Sequence, residues 1–471
     1  MKQKMNMNLK KIMCVALAAA TLAAGAGCGK KGKKAKDDSG RAIVYVGGWT
    51  EKEGAARDAL LKRKAMYESK NPDAVIEGDP WSFKLDTFYA KAEAGELPTV
   101  YSTNYTELSQ IIASNYSADL TDVLKKRGYD GKFNETILDL ASKDGKVYSF
   151  PVSAYALGLG YNVELFEKAG LTEADGTPKQ PKNWDEVAQF AKQIKDKTGV
   201  PGIVFPTAEN NGGWMFTPVA WSYGVKFMEK DKDGKWQATF NTPEAVAALQ
   251  WVKDLKWKYN VVPDNVIVGA DKYYEIFSTG QAGMMLAPGN YSDYVIQYGM
   301  TPDKLGLMAF PAGPKRHVTL IGGELNSISS NSTPEQIDAA VRWIETKYNY
   351  DATDEFKQLT ENAIDKKLND NVIVGIKSMS VWNKNTESVK FERNLIDEKC
   401  NINQNHVRLY NEFIDNPCEL QAEEPVCAQE LYKILDDCIT SVFSDENADC
   451  AAIIEQACKD FQMDYLDSVT Y

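Results

Sequence analysis

From residue 41 onward, hydrophobic positions recur with two different periods, and their alternation outlines the fold. Short apolar runs flanked by Gly, Pro or Asn predict strands, and apolar residues every three or four positions predict helices. Residues 43–46 predict a buried strand closed by Gly47 and Gly48. Ala55, Leu60, Leu61, Met66 and Tyr67, with charges between them, predict a helix. Thr50 with Glu53 reads as its capping box, and Asn71-Pro72 as its stop. AVIEGD (74–79) predicts a second strand, LDTFYAKAEAGE (85–96) a helix and TVYST (99–103) a third strand. Strand, helix, strand, helix, strand points to a parallel sheet with crossover helices.

After a polar stretch, residues 148–161 read as long and extended, interrupted by Pro151, and residues 164–169 as a helix capped by Gly170. NWDEVAQFAKQIKDKTG (183–199) predicts an amphipathic helix ended by Gly199, and IVFP (203–206) a strand. NTPEAVAALQWVKDLKWKYN (241–260) predicts a helix with Asn241 or Thr242 as N-cap and Pro243 near its first position. Residues 277–291 read as a helix end, a turn and a strand. Residues 321–349 read as a strand, a loop and a helix capped near Thr333-Pro334, and the chain beyond Tyr350 as mostly helical. Roughly 430 residues exceed one comfortable core, so two lobes are expected.

The N-terminus has a different character. Lys2, Lys4, Lys10 and Lys11 precede an apolar run over 12–24, too short to span a bilayer, which needs about 20 helical residues. Gly25, Ala26 and Gly27 then lead to Cys28, a pattern that resembles a bacterial lipoprotein lipobox. The likeness implies a signal peptide over 1–27, cleavage before Cys28 and acylation of its thiol. The alternative is an ordinary secretory signal with a chance cysteine. Lysine-rich residues 29–40 hold too little apolar surface to fold and read as a tether. The expected location is the extracytoplasmic face of the cell membrane. Removing residues 1–27 takes away four lysines and no acid, which moves the formal net charge from −12 to −16. That charge argues against nucleic acid as a partner.

His317 and His406 are the two histidines, and both are expected to be solvated. With no histidine cluster and no CxxC pair, neither a zinc site nor a histidine-activated nucleophile is expected, and no cofactor. Cys400, Cys418, Cys427, Cys438, Cys450 and Cys458 crowd the C-terminal region. In an exported chain they imply disulfides between elements, with buried reduced thiols as the alternative. Pairs 427/438 and 450/458 lie too far apart along a straight helix to bond to each other.

Several segments, in order, resemble the extracellular solute-binding proteins of ABC importers, in the family that takes sugars and oligosaccharides. They are GKVYSFPVSAYALGLGYNVELFEKAGL (145–171), NWDEV (183–187), GGWMFTPVAWSYGV (212–225), FSTGQAGMMLAPGNY (277–291) and IGGELNSISSNSTPEQIDAAVRWI (321–344). The resemblance implies an α/β, two-lobed periplasmic-binding-protein-like fold of type II. Each lobe would be a mixed, mainly parallel sheet flanked by helices, joined to the other by crossover strands. The first lobe would be 41–151 plus 322–382, and the second 152–321 plus 383–471 with a cysteine-rich helical end. It also implies ABC permease subunits as partners, a monomer, and capture rather than turnover.

A sugar ring offers an apolar C–H face and an edge of hydroxyls, which aromatic rings and hydrogen-bonding groups match. Ten Trp and 23 Tyr exceed what a core alone requires. Open α/β sheets bind ligands at loops after their strands. The candidate ligand-binding residues there are Trp49, Glu51, Trp81, Tyr101, Tyr105, Tyr155, Trp214, Trp221, Asn290, Tyr291, Glu324 and Trp382. Trp184, Trp251, Trp257 and Trp343 lie on predicted helices and are assigned to packing, as are Met284 and Met285. Two other readings remain. One keeps the fold and binds a peptide, polyamine or anion; the other is a glycoside hydrolase using Glu51, Asp79 or Glu324.

Overall fold

Two β-sheets organise the chain in a computed structural model, which describes residues 33–469. Cys14, Cys28 and the expected signal peptide lie outside the described residues. In chain order the strands of these sheets are β1 (Ala42–Val46), β2 (Ala74–Gly78), β3 (Val100–Asn104), β4 (Ser149–Pro151), β5 (Tyr155–Asn162), β6 (Met284–Pro288), β7 (Leu305–Met308), β8 (Val318–Gly322), β9 (Glu324–Ile328) and β10 (Glu419–Gln421). The first sheet has the order β2-β1-β3-β9-β4 and the second β6-β5-β8-β10, with β7 also on β5.

The sheets differ in direction. In the first, β1 runs parallel to β2 and β3, whereas β9 is antiparallel to β3 and β4. In the second, β6, β7 and β8 all oppose β5, and only β8–β10 is parallel. The second sheet is therefore mixed but mainly antiparallel, a correction to the expected mainly parallel pairing. Its central strand β5 is buried from Ala156 onward, as a strand covered on both faces should be.

Connections between the sheets position the site. Chain passes from β4 to β5 through 152–154, and back from β8 to β9 at Gly323. The expected single strand near 321–328 is thus two strands in different sheets. Gly323 has φ +144°, and a Cβ there would lie 2.2 Å from the Ser153 carbonyl, so only glycine fits the break. A third segment runs beside them, bridging Met379 to Ala154 and Trp382 to Phe133.

Helix caps follow the sequence in most places. Asn183 caps Trp184–Thr198 and Gly199 ends it in the left-handed region. Thr242 caps Pro243–Trp257, and Thr333 with Gln336 forms a capping box on Pro334–Glu345. The expected Thr50/Glu53 box does not form: the first helix is Ala55–Lys70 with Gly54 as N-cap, and Thr50 instead accepts from Lys52 N. Residues 203–206 are not a strand, because Ile203 N and Val204 N bond to two different segments, at Val261 O and Met284 O. Folding also begins earlier than Arg41. Asp37 closes a turn by accepting from Ser39 N and Arg41 N, and Ile43 N bonds to Ala35 O.

All six C-terminal cysteines are free thiols, which corrects the expectation of disulfides. Cys438, Cys450 and Cys458 are buried and pack as small apolar side chains on Ala428–Ser444 and Cys450–Asp464. Burial pushes the Cys418 thiol up to about 12 and Cys427 up to about 11. Among the described residues no helix is long and apolar enough to cross a membrane.

Candidate functional site

The loops after β1, β2 and β3 carry the first group of candidates, and the turns decide which side chains stay outside. Gly48 N bonds to Trp81 O and Trp49 N to Asp79 O, which ties the first loop to the second. That tie folds the Trp49 indole inward. It lies against Gly78 and 6.4 Å from the Trp343 ring, and is 6% exposed. Trp49 is expected on the ligand surface after β1; the glycine turn buries it instead. Glu51 is exposed, 3.9 Å from Arg57. Asp79 is buried and accepts from Trp81 N at 2.9 Å, a turn-closing role. Trp81 is half-buried, with one face stacked on Phe88 at 6.4 Å.

Tyr101 and Tyr105 are also withdrawn into packing. Tyr101 donates to Tyr116 O, and Tyr105 donates to Ser153 O on the connection between the sheets. Trp221 is fully buried within the helix Asn211–Tyr223, and its Nε1 donates to Glu424 Oε1 at 2.9 Å. Tyr291 is fully buried and donates to Gly306 O. These four rings, like Trp49, present no face to solvent, and their polar atoms are already engaged by the protein. Trp214, in the first turn of the helix Asn211–Tyr223, is half-buried. Glu324 is exposed at the start of β9, and its backbone N–H donates to Ser153 Oγ.

Three candidates meet. Tyr155, Asn290 and Trp382 line one cavity of about 360 Å³ where the connections between the sheets run side by side. Tyr155 lies over Gly322, where an added Cβ would come within 2.3 Å of its ring. Asn290 follows β6 and is exposed. Trp382 stacks on Phe133 at 4.7 Å and sends only part of its ring to the cavity. The wall also takes Ser378, Ser380, Tyr348 and Glu392, which sequence reasoning missed. Glu392 had a readable signal: it stands between Val389 and Ile396 at helical spacing, a carboxylate on an apolar stripe. The other candidates do not reach this cavity. A hollow of similar size beside Lys192 and Tyr259 is a surface groove between long solvated side chains.

The assignments to packing mostly hold: Trp184, Trp251, Trp343, Met284 and Met285 are buried. Trp257 is exposed at its edge and donates to Val442 O. His406 corrects the expectation of two solvated histidines. It is buried, with Nε2 beside Asn403 Nδ2, and burial lowers its pKa. Among the described residues no group of three His, Cys, Asp or Glu is placed to hold a metal.

A wall of rings with hydroxyls, an amide and one carboxylate suits a small polyhydroxylated molecule. Comparison with known proteins gives that geometry a context. The model of the bacterial extracellular solute-binding protein family matches residues 48–347. A binding protein of Brucella abortus (strain 2308) is 26% identical over 280 residues, 59% of this chain and 64% of that protein, so the chain spans less than two thirds of that relative. The arabinooligosaccharide-binding protein of Bacillus subtilis (strain 168) is 26% identical over 257 residues, 52% of this chain and 54% of that one. Among solved structures, the cyclic alpha-maltosyl-1,6-maltose binding protein from Arthrobacter globiformis has a TM-score of 0.62 at 22% identity, over 89% of this chain and 98% of that one. UgpB from Mycobacterium tuberculosis, in complex with glycerophosphocholine, has a TM-score of 0.64 at 15% identity, over 90% of this chain and 98% of that one. At these identities the likeness to the solved structures is one of fold.

Proposed function

The chain belongs to the bacterial extracellular solute-binding protein family, and from that premise we propose that it captures a sugar or oligosaccharide between two lobes and hands it to an ABC permease. The lobes are taken as 41–151 plus 322–382 and 152–321 plus 383–471. The observation that carries the reading is the cavity lined by Tyr155, Asn290 and Trp382 where the connections between the sheets converge. Rings there supply the apolar face that a pyranose needs, and Asn290 with Ser378 and Ser380 supplies hydrogen-bond groups for its edge.

Capture needs no chemistry at the ligand. Ligand binding that favours the closed arrangement of two hinged halves is enough to mark the loaded protein for its permease. Acyl chains on Cys28 would keep the receptor at the outer membrane face beside that permease, since each buried CH₂ contributes about 0.8 kcal/mol. The cargo is released unaltered.

A thermal-shift screen against neutral glycans, repeated by intrinsic tryptophan fluorescence, tests this reading. At least one oligosaccharide raises the melting temperature saturably. Unchanged melting and fluorescence across a broad panel would refute it.

A further inference from the structure

The cavity contains one charged group that the fold leaves unused. Glu392 lies on the helix Glu387–Glu398, three residues after Val389 and four before Ile396, both buried. That spacing sets its carboxylate on the helix face turned inward, where an apolar side chain would be the cheaper choice. Among the described residues no ion pair or hydrogen bond reaches the carboxylate. Its neighbour Arg393 is committed elsewhere, donating through Nη2 to Ser378 O and to Asp415 Oδ1. Burial pushes the Glu392 carboxyl up and outweighs the charges of Arg393 and Lys367, which draw it the other way. A half-buried acid without a partner, on a cavity wall, costs stability that a bound cation would recover.

The rest of the wall favours such a cation. Tyr155, Tyr348, Phe356 and Trp382 share the cavity with Glu392, and ring faces attract ammonium groups. The Lys347 ammonium sits 4.8 Å from the centre of the Tyr348 ring, so one of these rings already faces a cation of the protein's own. Lys347 is exposed at the rim, where it would meet hydroxyl or phosphate oxygens rather than the buried end of a ligand. We propose that the cavity selects ligands that carry an ammonium group on a polyhydroxylated body, with Glu392 as its counter-charge and the rings as its wall. The inference rests on the reading that the cavity captures a solute, and it specifies the charge that solute carries. Two sources carry this chemistry: an amino sugar, and the choline end of a glycerophosphodiester.

Calorimetric titration of the full chain with two matched pairs tests it. The first pair is the β-1,4-linked glucosamine disaccharide against cellobiose, which differ by ammonium for hydroxyl. The second is glycerophosphocholine against glycerophosphoglycerol, two diesters with the same phosphate charge that differ by choline for glycerol. In at least one pair the ammonium ligand binds on the order of tenfold tighter, and Glu392→Gln brings that ratio close to one. A preference confined to one pair identifies the source. Ratios near one in both pairs for the wild type, or no binding of either ammonium probe, overturn the inference, and the wild-type ratio decides this even where the variant fails to fold. If neutral glycans still bind, the capture reading survives; if nothing binds, both fall.

Discussion

Gly78 has no room for a side chain, and the reason is Trp49. A Cβ at Gly78 would stand 2.2 Å from the indole Cγ. Gly78→Ala is therefore expected to lower stability by roughly 1–3 kcal/mol in urea unfolding; an unchanged midpoint would show that the indole has another place to go. Burial is sharper still at Glu424, whose carboxyl is pushed up to about 7 although Trp221 Nε1 donates to it. The folded protein then keeps a proton that the unfolded chain, near 4.5, gives up. Stability from this group is full below pH 4.5, declines as pH rises between 4.5 and 7, and is lost above that, a swing of about 3 kcal/mol. Glu424→Gln removes the swing. Urea unfolding of both proteins at pH 5 and pH 8 reads the difference, and parallel pH profiles would contradict the assignment.

Elements show why some of the site was legible and some was not. No helix is predicted over Asn211–Tyr223, where Gly212, Gly213 and Pro218 are poor helix formers. Tertiary contact overrides that preference. Asp436 accepts from Asn210 N and Gly213 N at the helix start, and the Cα-only face of Gly213 lets it sit against Tyr432, where a Cβ would be 2.2 Å from the carbonyl oxygen. No local signal in residues 211–223 foretells a cap supplied from residue 436. Asp436→Ala leaves two amide donors unpaired and is expected to cost about 1–3 kcal/mol of stability, with Asp436→Asn recovering part of it. Equal melting of both variants and the wild type would remove the cap from the account. Trp49, Tyr101, Tyr105, Trp221 and Tyr291 failed as exposed candidates for a related reason. Trp49 follows β1 and Tyr101 lies within β3, both predicted strands, whereas Tyr105, Trp221 and Tyr291 lie on helices that were not; in every case whether a ring turns outward depends on the neighbour it meets, such as Trp343 or Glu424.

At the scale of the molecule, strand order and the break at Gly323 make one chain into two sheets whose connections frame a cavity. The βα pattern and the ordered motifs were readable, because period and glycine placement are local. The antiparallel character of the second sheet was not, because β6, β7 and β8 reach β5 from distant parts of the chain. Contacts away from the connections also join the two sides. Thr106 Oγ1 bonds to the Glu423 carboxylate, and Gln110 Nε2 donates to Pro425 O at 2.6 Å. Gln110→Ala is expected to loosen that junction and increase the radius of gyration without ligand in small-angle scattering; an unchanged radius would mean the contact does not restrain the halves.

On the proposed function, rings at the connections hold a saccharide without altering it. Calorimetric titration of the protein and its Tyr155→Ala variant with a neutral oligosaccharide panel, followed by chromatography of the recovered sugar, tests this most directly. One-site saturation by at least one glycan, recovery of that glycan intact, and weakening on the order of tenfold in the variant are expected. Saturable binding that Tyr155→Ala leaves untouched, cleaved sugar, or no heat from any glycan would contradict it.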